Sequence, residues 1–325
     1  MFNQAFIRSA IDRSAENALD RRRFLRAAGM AGAIGAGAVA IGASPAGATV
    51  AYHDTTPMPP MPHDDGAITD AAILNFALNL EYLEAEFYSR AFTGHGLDGA
   101  LLGGVGERGE VFGGRQVDFQ TKAVRQYARE IASDELAHVK FLRTALGGAA
   151  VAEPEINLDE AFAAAAKAAG LGEGFDAFAN ENNFLLAAFI FEDVGVTAYK
   201  GAAPLIDNKT YLEAAAGILA VEAYHAANIR TALVTKGLRH PDLMIFQTVQ
   251  AISDLRDAVD NPQDDDQGIG TADMINITPT DANGIAFSRT PGDVLNIVYL
   301  NPGAVSEGGF FPHGVNGSLH MSSAM

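Results

Sequence analysis

Two helical stretches of this 325-residue chain each carry a glutamate and a histidine three positions apart within apolar sequence, Glu135-Leu-Ala-His138 and Glu222-Ala-Tyr-His225. Residues three apart share one helix face, so each pair presents a carboxylate oxygen and an imidazole nitrogen to the same point. Two further helical stretches lack histidine but place a carboxylate in the apolar stripe, Glu81 and Glu192, each followed seven residues later by a tyrosine, Tyr88 and Tyr199. The order Glu, Glu-x-x-His, Glu, Glu-x-x-His is an internal two-fold repeat. Of the eight histidines, His53, His63, His95, His240, His313 and His320 fall in arms, loops or tails; the two within long helices are the two preceded by glutamate. One Glu-x-x-His alone means little, because a buried histidine is commonly just hydrogen-bonded. Tyr88 and Tyr199, taken singly, read as ordinary core tyrosines. Four carboxylates and two imidazoles on four apolar stripes are harder to explain blandly. Unpaired in a core, each carboxylate would cost several kcal/mol or take up a proton, whereas two divalent cations would neutralise all four. The chain has no cysteine, so any metal is held by oxygen and imidazole nitrogen, a donor set that suits iron or manganese better than copper(I) or structural zinc. Glu84 shares enough of Glu81's face to replace or supplement it, although Glu84 and Glu86 read equally well as a solvated face.

Four long helices must position these residues. The first spans about Asp70 to Ala91 with Thr69 as N-cap, and Leu74, Leu78, Glu81, Ala85, Tyr88 and Phe92 recur at helical spacing. A Gly-laden connection, 94–114, leads to the second, about Asp118 to Leu146, stopped by Gly147-Gly148. More than thirty residues separate it from the third, about Asn182 to Gly201. They include a short helix opened by an Asn157/Glu160 capping box and ended by Gly170. So long a link can cross from one end of a bundle to the other. The fourth helix runs from about Lys209 to Lys236 and is closed by Gly237. Beyond it, 242–258 reads as a fifth helix, "NPQDDDQGIG" as a solvated turn, and "TPGDVLNIV" as a sixth helix with Thr290 as N-cap and Pro291 at N1. The Gly/Ser-rich remainder reads as loop that packs back through Phe310 and Phe311. No segment has a parallel-sheet pattern.

At 48% apolar and 19% charged, the chain is globular in composition. A net charge of −18 argues against nucleic acid and anionic membrane surfaces as partners. Residues 1–48 read as a twin-arginine-type export signal: Arg21-Arg22-x-Phe24-Leu25, a weakly apolar Ala/Gly stretch, then Ala46-Gly47-Ala48 as a cleavage site. The apolar stretch falls short of the roughly 20 residues of a membrane span, so no span is expected in the mature protein. Residues 49–67 read as an extended Pro-rich arm. The expected organisation is thus signal (1–48), arm (49–67), helical bundle (68–236) and C-terminal extension (237–325).

This layout resembles the ferritin-like di-iron/di-manganese carboxylate superfamily over residues 68–236. The stretches "NFALNLEYLEAEFYSRAF" and "FSRTPGDVLNIVYL", with the exported N-terminus, resemble its desiccation-related branch nearly to the end of the chain. The resemblance implies an all-α ferritin-like four-helix bundle with a long crossover between the second and third helices, plus short helices and an irregular C-terminal extension. It implies two divalent metal ions, Fe or Mn. Glu81, Glu135 and His138 would bind one side of the pair, Glu192, Glu222 and His225 the other, with Glu135 and Glu222 bridging, and Glu84 replacing or joining Glu81. Tyr88 and Tyr199 would hydrogen-bond ligands. Such a centre would react with oxygen or peroxide, ferroxidase-like or manganese-catalase-like, in periplasmic or extracellular protection against oxidative or drying stress. The alternative is a non-catalytic stress protein whose metal is structural or vestigial. Homo-oligomer formation stays open.

Overall fold

The Thr69 hydroxyl accepts the Ala72 amide and opens helix α1, Asp70–Thr93, which Gly94 closes at φ 83°. In this computed structural model residues 68–324 are described; the expected export signal and arm lie outside them. Helix α2, Lys122–Leu146, starts later than Asp118. The Thr121 amide (2.8 Å) and hydroxyl (2.6 Å) both donate to Glu181, which holds the preceding turn out of the helix. Helix α3, Leu158–Ala168, has only half of the expected capping box. The Asn157 side chain accepts the Glu160 amide, but the Asn157 amide donates to the Phe310 carbonyl. Helices α4, Glu181–Ala202, and α5, Lys209–Arg239, are capped by Asn180 and Asn208, whose side chains accept first-turn amides. Gly237 does not close α5. It sits inside the helix because a Cβ there would lie 2.8 Å from the Phe246 ring of helix α6, Ile245–Asp260; the helix stops just before Pro241. Helix α7, Pro291–Tyr299, begins with a complete Thr290/Asp293 capping box.

Helix α1 packs most extensively on α2, and α4 on α5; the two pairs meet through α1–α4 and α2–α5 contacts. The α2–α4 link carries α3 across the bundle, as the ferritin-like arrangement requires. Contrary to the sequence reading, a short parallel strand pair does exist: β1, Val111–Phe112, pairs with β2, Ile156–Asn157. At two residues per strand it is too short to show a periodic pattern.

The C-terminal extension is part of the core. Phe310 and Phe311 are fully buried, and the Phe310 ring lies 4.9 Å from Phe162 and 5.0 Å from Phe191. The expected solvated turn is also a correction, since Asp265 and Asp266 are buried. Arg289 donates to Asp265 (2.9 Å), to Asp266 and to Asp260 (2.6 Å), and Arg256 lies 2.5 Å from Asp266. These carboxylates leave water because two buried arginines, Arg256 and Arg289, meet them.

Candidate metal centre

All seven expected residues are buried and converge between the four long helices. One ligand atom each from Glu81, Glu135, His138 and Glu222 lies within 4.8 Å of the others; the same holds for Glu135, Glu192 and His225, and for Glu84, Glu192 and Glu222. Glu135 and Glu222 each belong to groups on both sides, the placement a bridging carboxylate needs. Glu81 faces His138, while Glu84 stands with Glu192 and Glu222. The solvated-face reading of Glu84 and Glu86 does not hold, since both are buried.

Both histidines turn Nδ1 inward. His138 Nδ1 lies 3.2 Å from Glu81 and from Glu135 and 3.8 Å from Glu222, and His225 Nδ1 lies 3.0 Å from Glu135 and 3.4 Å from Glu192. The expected tyrosine role takes a crossed form. Tyr88, on α1, donates to Glu192 on α4, and Tyr199, on α4, donates to Glu81 on α1. Antiparallel α1 and α4 bring each tyrosine, seven residues past its own helix's glutamate, beside the glutamate of the other.

The two-fold repeat breaks in two places. Opposite Glu84, three residues past Glu192, stands Gly195, and a Cβ there would lie 2.3 Å from Glu222 Oε2. The missing side chain on α4 makes the room that the Glu222 carboxylate occupies. The second break is Asp134, which sequence reasoning missed. Its carboxylate accepts from His225 Nε2 at 3.1 Å, so that loss of the other ring proton would turn an Nδ1 lone pair toward the centre. The equivalent position before Glu222 is Val221. Periodicity puts Asp134 on the outer face, where its side chain is 40% exposed; the available signal was an acid directly preceding a Glu-x-x-His.

Burial and mutual repulsion set the electrostatics. Desolvation, then the charges of neighbouring carboxylates, push Glu84 and Glu222 well above the usual carboxylate range. Burial raises Glu81 to about 7 against the pull of His138, and raises Glu192 against that of His225. Burial would also raise Glu135, but the hydrogen bond from His138 and the close approach and charge of both imidazoles outweigh it and hold Glu135 below the usual range. Burial opposes charge on the imidazoles, yet the carboxylates win and raise His138 to about 11 and His225 to about 12. Without a metal, then, the cluster neutralises itself with protons.

That self-neutralisation is incomplete in hydrogen bonding. Glu135 Oε1, Glu192 Oε2, both Glu222 oxygens and His225 Nδ1 are buried without a hydrogen-bond partner. His225 Nδ1 and Glu135 Oε1 are only 3.0 Å apart yet not aligned for a hydrogen bond. Atoms directed at shared points instead of at one another fit a pair of cations. An aromatic cluster dries one flank: the Phe87 ring lies 4.9 Å from Tyr88, 5.4 Å from Phe184 and 5.5 Å from Phe191.

Known proteins resemble this chain in sequence. The chain is 31% identical over 243 residues to the desiccation-related protein PCC13-62 of Craterostigma plantagineum, covering 70% of this chain and 77% of that protein. It is 28% identical over 268 residues to the ferritin-like catalase Nec2 of Nesocodon mauritianus, covering 77% and 84%. No solved structure matches significantly. The ferritin-like domain family matches residues 69–235, the span that contains all four long helices save the last residues of α5 and every residue of the converging cluster. By that match and by the buried carboxylate–histidine cluster its helices enclose, the chain belongs to the ferritin-like domain family.

Proposed function

We propose that this protein binds two divalent ions, iron or manganese, through Glu81, Glu84, Glu135, His138, Glu192, Glu222 and His225, and uses them for redox chemistry with peroxide or oxygen. The observation that carries the reading is the set of buried ligand atoms without hydrogen-bond partners at the junction of the overlapping groups. Such a pair, when bound, would supply and take back two electrons, the chemistry by which two molecules of hydrogen peroxide would become two of water and one of dioxygen. The name of one relative, a ferritin-like catalase, supports peroxide as the oxidant. The chain's own contributions are positional. Asp134 fixes the His225 tautomer, Tyr88 and Tyr199 hold one oxygen each of Glu192 and Glu81, and the phenylalanine cluster excludes water. The five carboxylates of Glu81, Glu84, Glu135, Glu192 and Glu222 would exceed the charge of two dications by one, a surplus that would favour a higher metal oxidation state.

Export by the twin-arginine route, which carries folded proteins, suits a protein that takes up its metal before leaving the cytoplasm, and stress protection in the cell envelope follows from that. A second reading, a non-catalytic stress protein with a structural metal, draws on the other relative's name, desiccation-related protein. Elemental analysis of natively purified protein tests the first step, with about two iron or manganese ions per chain expected. Peroxide turnover, abolished in Glu135→Ala, tests the second. Full metal occupancy without turnover of peroxide or Fe(II) selects the non-catalytic reading; a folded protein without metal refutes the redox reading.

A further inference from the structure

The seam between α1 and α4 holds a small cavity of about 20 Å³. Leu80, Leu83 and Glu84 line it from α1, and Val194 and Gly195 from α4; Ile297 and Val298 of α7, with Phe310, complete its wall. Leu80 is half-buried and marks the outer end, while the other side chains of the wall are buried. One water needs roughly 10–15 Å³ of such space, so the cavity takes a single molecule of about that size.

The inner end of the cavity is the carboxylate centre. Gly195 presents bare backbone there, and a Cβ at that position would lie 2.3 Å from Glu222 Oε2. Glu84 is 7% exposed, against 0–1% for Glu81, Glu135, Glu192 and Glu222, and it has no hydrogen-bond partner among the described residues. The carboxyl group that lines the cavity is thus the most accessible of the five and is unpartnered. It is also the one polar side chain in the wall. A buried water settles where two to four polar partners hold it, and hydrogen peroxide, with two O–H donors and two acceptor oxygens, needs as many. One carboxyl group does not supply them. Cavities with apolar walls stay dry and accept apolar guests, and of water, peroxide and dioxygen only dioxygen is apolar.

We propose that this cavity holds dioxygen beside the carboxylate centre, against Leu83, Val194 and Val298, with Glu84 at its inner end. Its use rests on the redox reading of that centre: oxidation of Fe(II) consumes dioxygen and disproportionation of peroxide releases it, so the cavity serves either chemistry. The cavity itself needs no metal, and the test therefore begins with the metal-free full chain, methyl-labelled, under a few bar of dissolved dioxygen, whose unpaired electrons speed the relaxation of nearby methyl protons. The methyl groups of Leu83, Val194 and Ile297 should relax several-fold faster than those of Ile131 and Leu142, which are comparably buried but lie outside its wall. Val298→Phe fills the cavity from α7 and should remove the enhancement. Because Val298 is a core residue, Leu80→Phe fills it independently from the half-buried outer end, with the same expected loss. With metal bound, both variants should keep the wild-type metal content and take up or release dioxygen several-fold more slowly. The proposal is overturned if the cavity methyls relax no faster than those of Ile131 and Leu142, if the enhancement survives in the folded variants, or if fully metal-loaded variants exchange dioxygen at the wild-type rate. Enhanced relaxation in a protein that takes up no metal supports the cavity and refutes only the redox reading.

Discussion

Replacing Glu222 by glutamine separates a metal-binding carboxylate from a merely buried one. Both Glu222 oxygens lack hydrogen-bond partners, and burial with four surrounding carboxylates favours the protonated form of the group when no metal is bound. Glutamine matches a protonated glutamate in shape and charge, so the metal-free variant should keep its stability to within about 1 kcal/mol. With metal the outcome differs. A ligand that binds only the native state stabilises it by about 4 kcal/mol at a thousandfold excess over its dissociation constant. For a folded unit of about 260 residues that is a rise in Tm of roughly 7 °C. Glu222 contributes to groups on both sides of the centre, so Glu222→Gln should lose at least one of the two ions and most of that rise. The assay is calorimetry of wild type and variant with and without Mn(II) or Fe(II), paired with elemental analysis. A variant that still binds two ions with the full rise in Tm would refute the assignment. So would a metal-free variant destabilised by several kcal/mol, because that would mean an ionised Glu222 with a structural partner.

Three further outcomes follow from the geometry. With His138 raised to about 11 and His225 to about 12, the metal-free centre holds a proton on each inward imidazole nitrogen at pH 7, and burial with mutual repulsion raises Glu84 and Glu222 as well, so metal loading should release two or more protons in a pH-stat and apparent affinity should climb steeply with pH; release of one or none contradicts the ligand set. Gly195→Ala puts a methyl group 2.3 Å from Glu222 Oε2 and should lower metal content, whereas Gly217→Ala, with nothing within 4 Å, should leave metal content unchanged and stabilise α5 by up to about 1 kcal/mol; equal metal content in the two variants would show that Glu222 does not need that space. Outside the centre, burial and the nearby Glu86 raise Glu153 to about 8. A raised folded-state value means that the stabilisation is full below about pH 4.5 and is lost as pH rises through 8, an effect on the order of 2–4 kcal/mol. Denaturant titrations at pH 5, 7 and 9 should show that loss in wild type and a smaller one in Glu153→Gln; parallel slopes would disprove it.

The converging residues were legible because each lies on a regular helix, where spacing alone fixes the face. The Glu-x-x-His pairs and the Glu-to-Tyr intervals repeat the helical period, and that period determines direction with no knowledge of the fold. Which helix each tyrosine would serve was not legible, since the crossed Tyr88–Glu192 and Tyr199–Glu81 bonds depend on antiparallel packing. Features set by partners distant in sequence were read wrongly or missed. Three successive aspartates look like a solvated turn until Arg256 and Arg289 are placed beside two of them. Gly237 looks like a helix stop until Phe246 is seen against it. Asp134 looks like surface until the His225 ring reaches it.

The Phe310 ring wedged against Phe162 and Phe191, with the Arg289 guanidinium held by Thr197 and three aspartates, changes what counts as the smallest independently folding piece of this chain. A fragment trimmed to the borders of the recognised family, 69–235, would strip the aromatic cluster of its outer ring and strand Asp193 with one arginine fewer. Heredity has therefore bound the final ninety or so residues to the helices before them: substitutions on one side of that seam constrain those tolerated on the other.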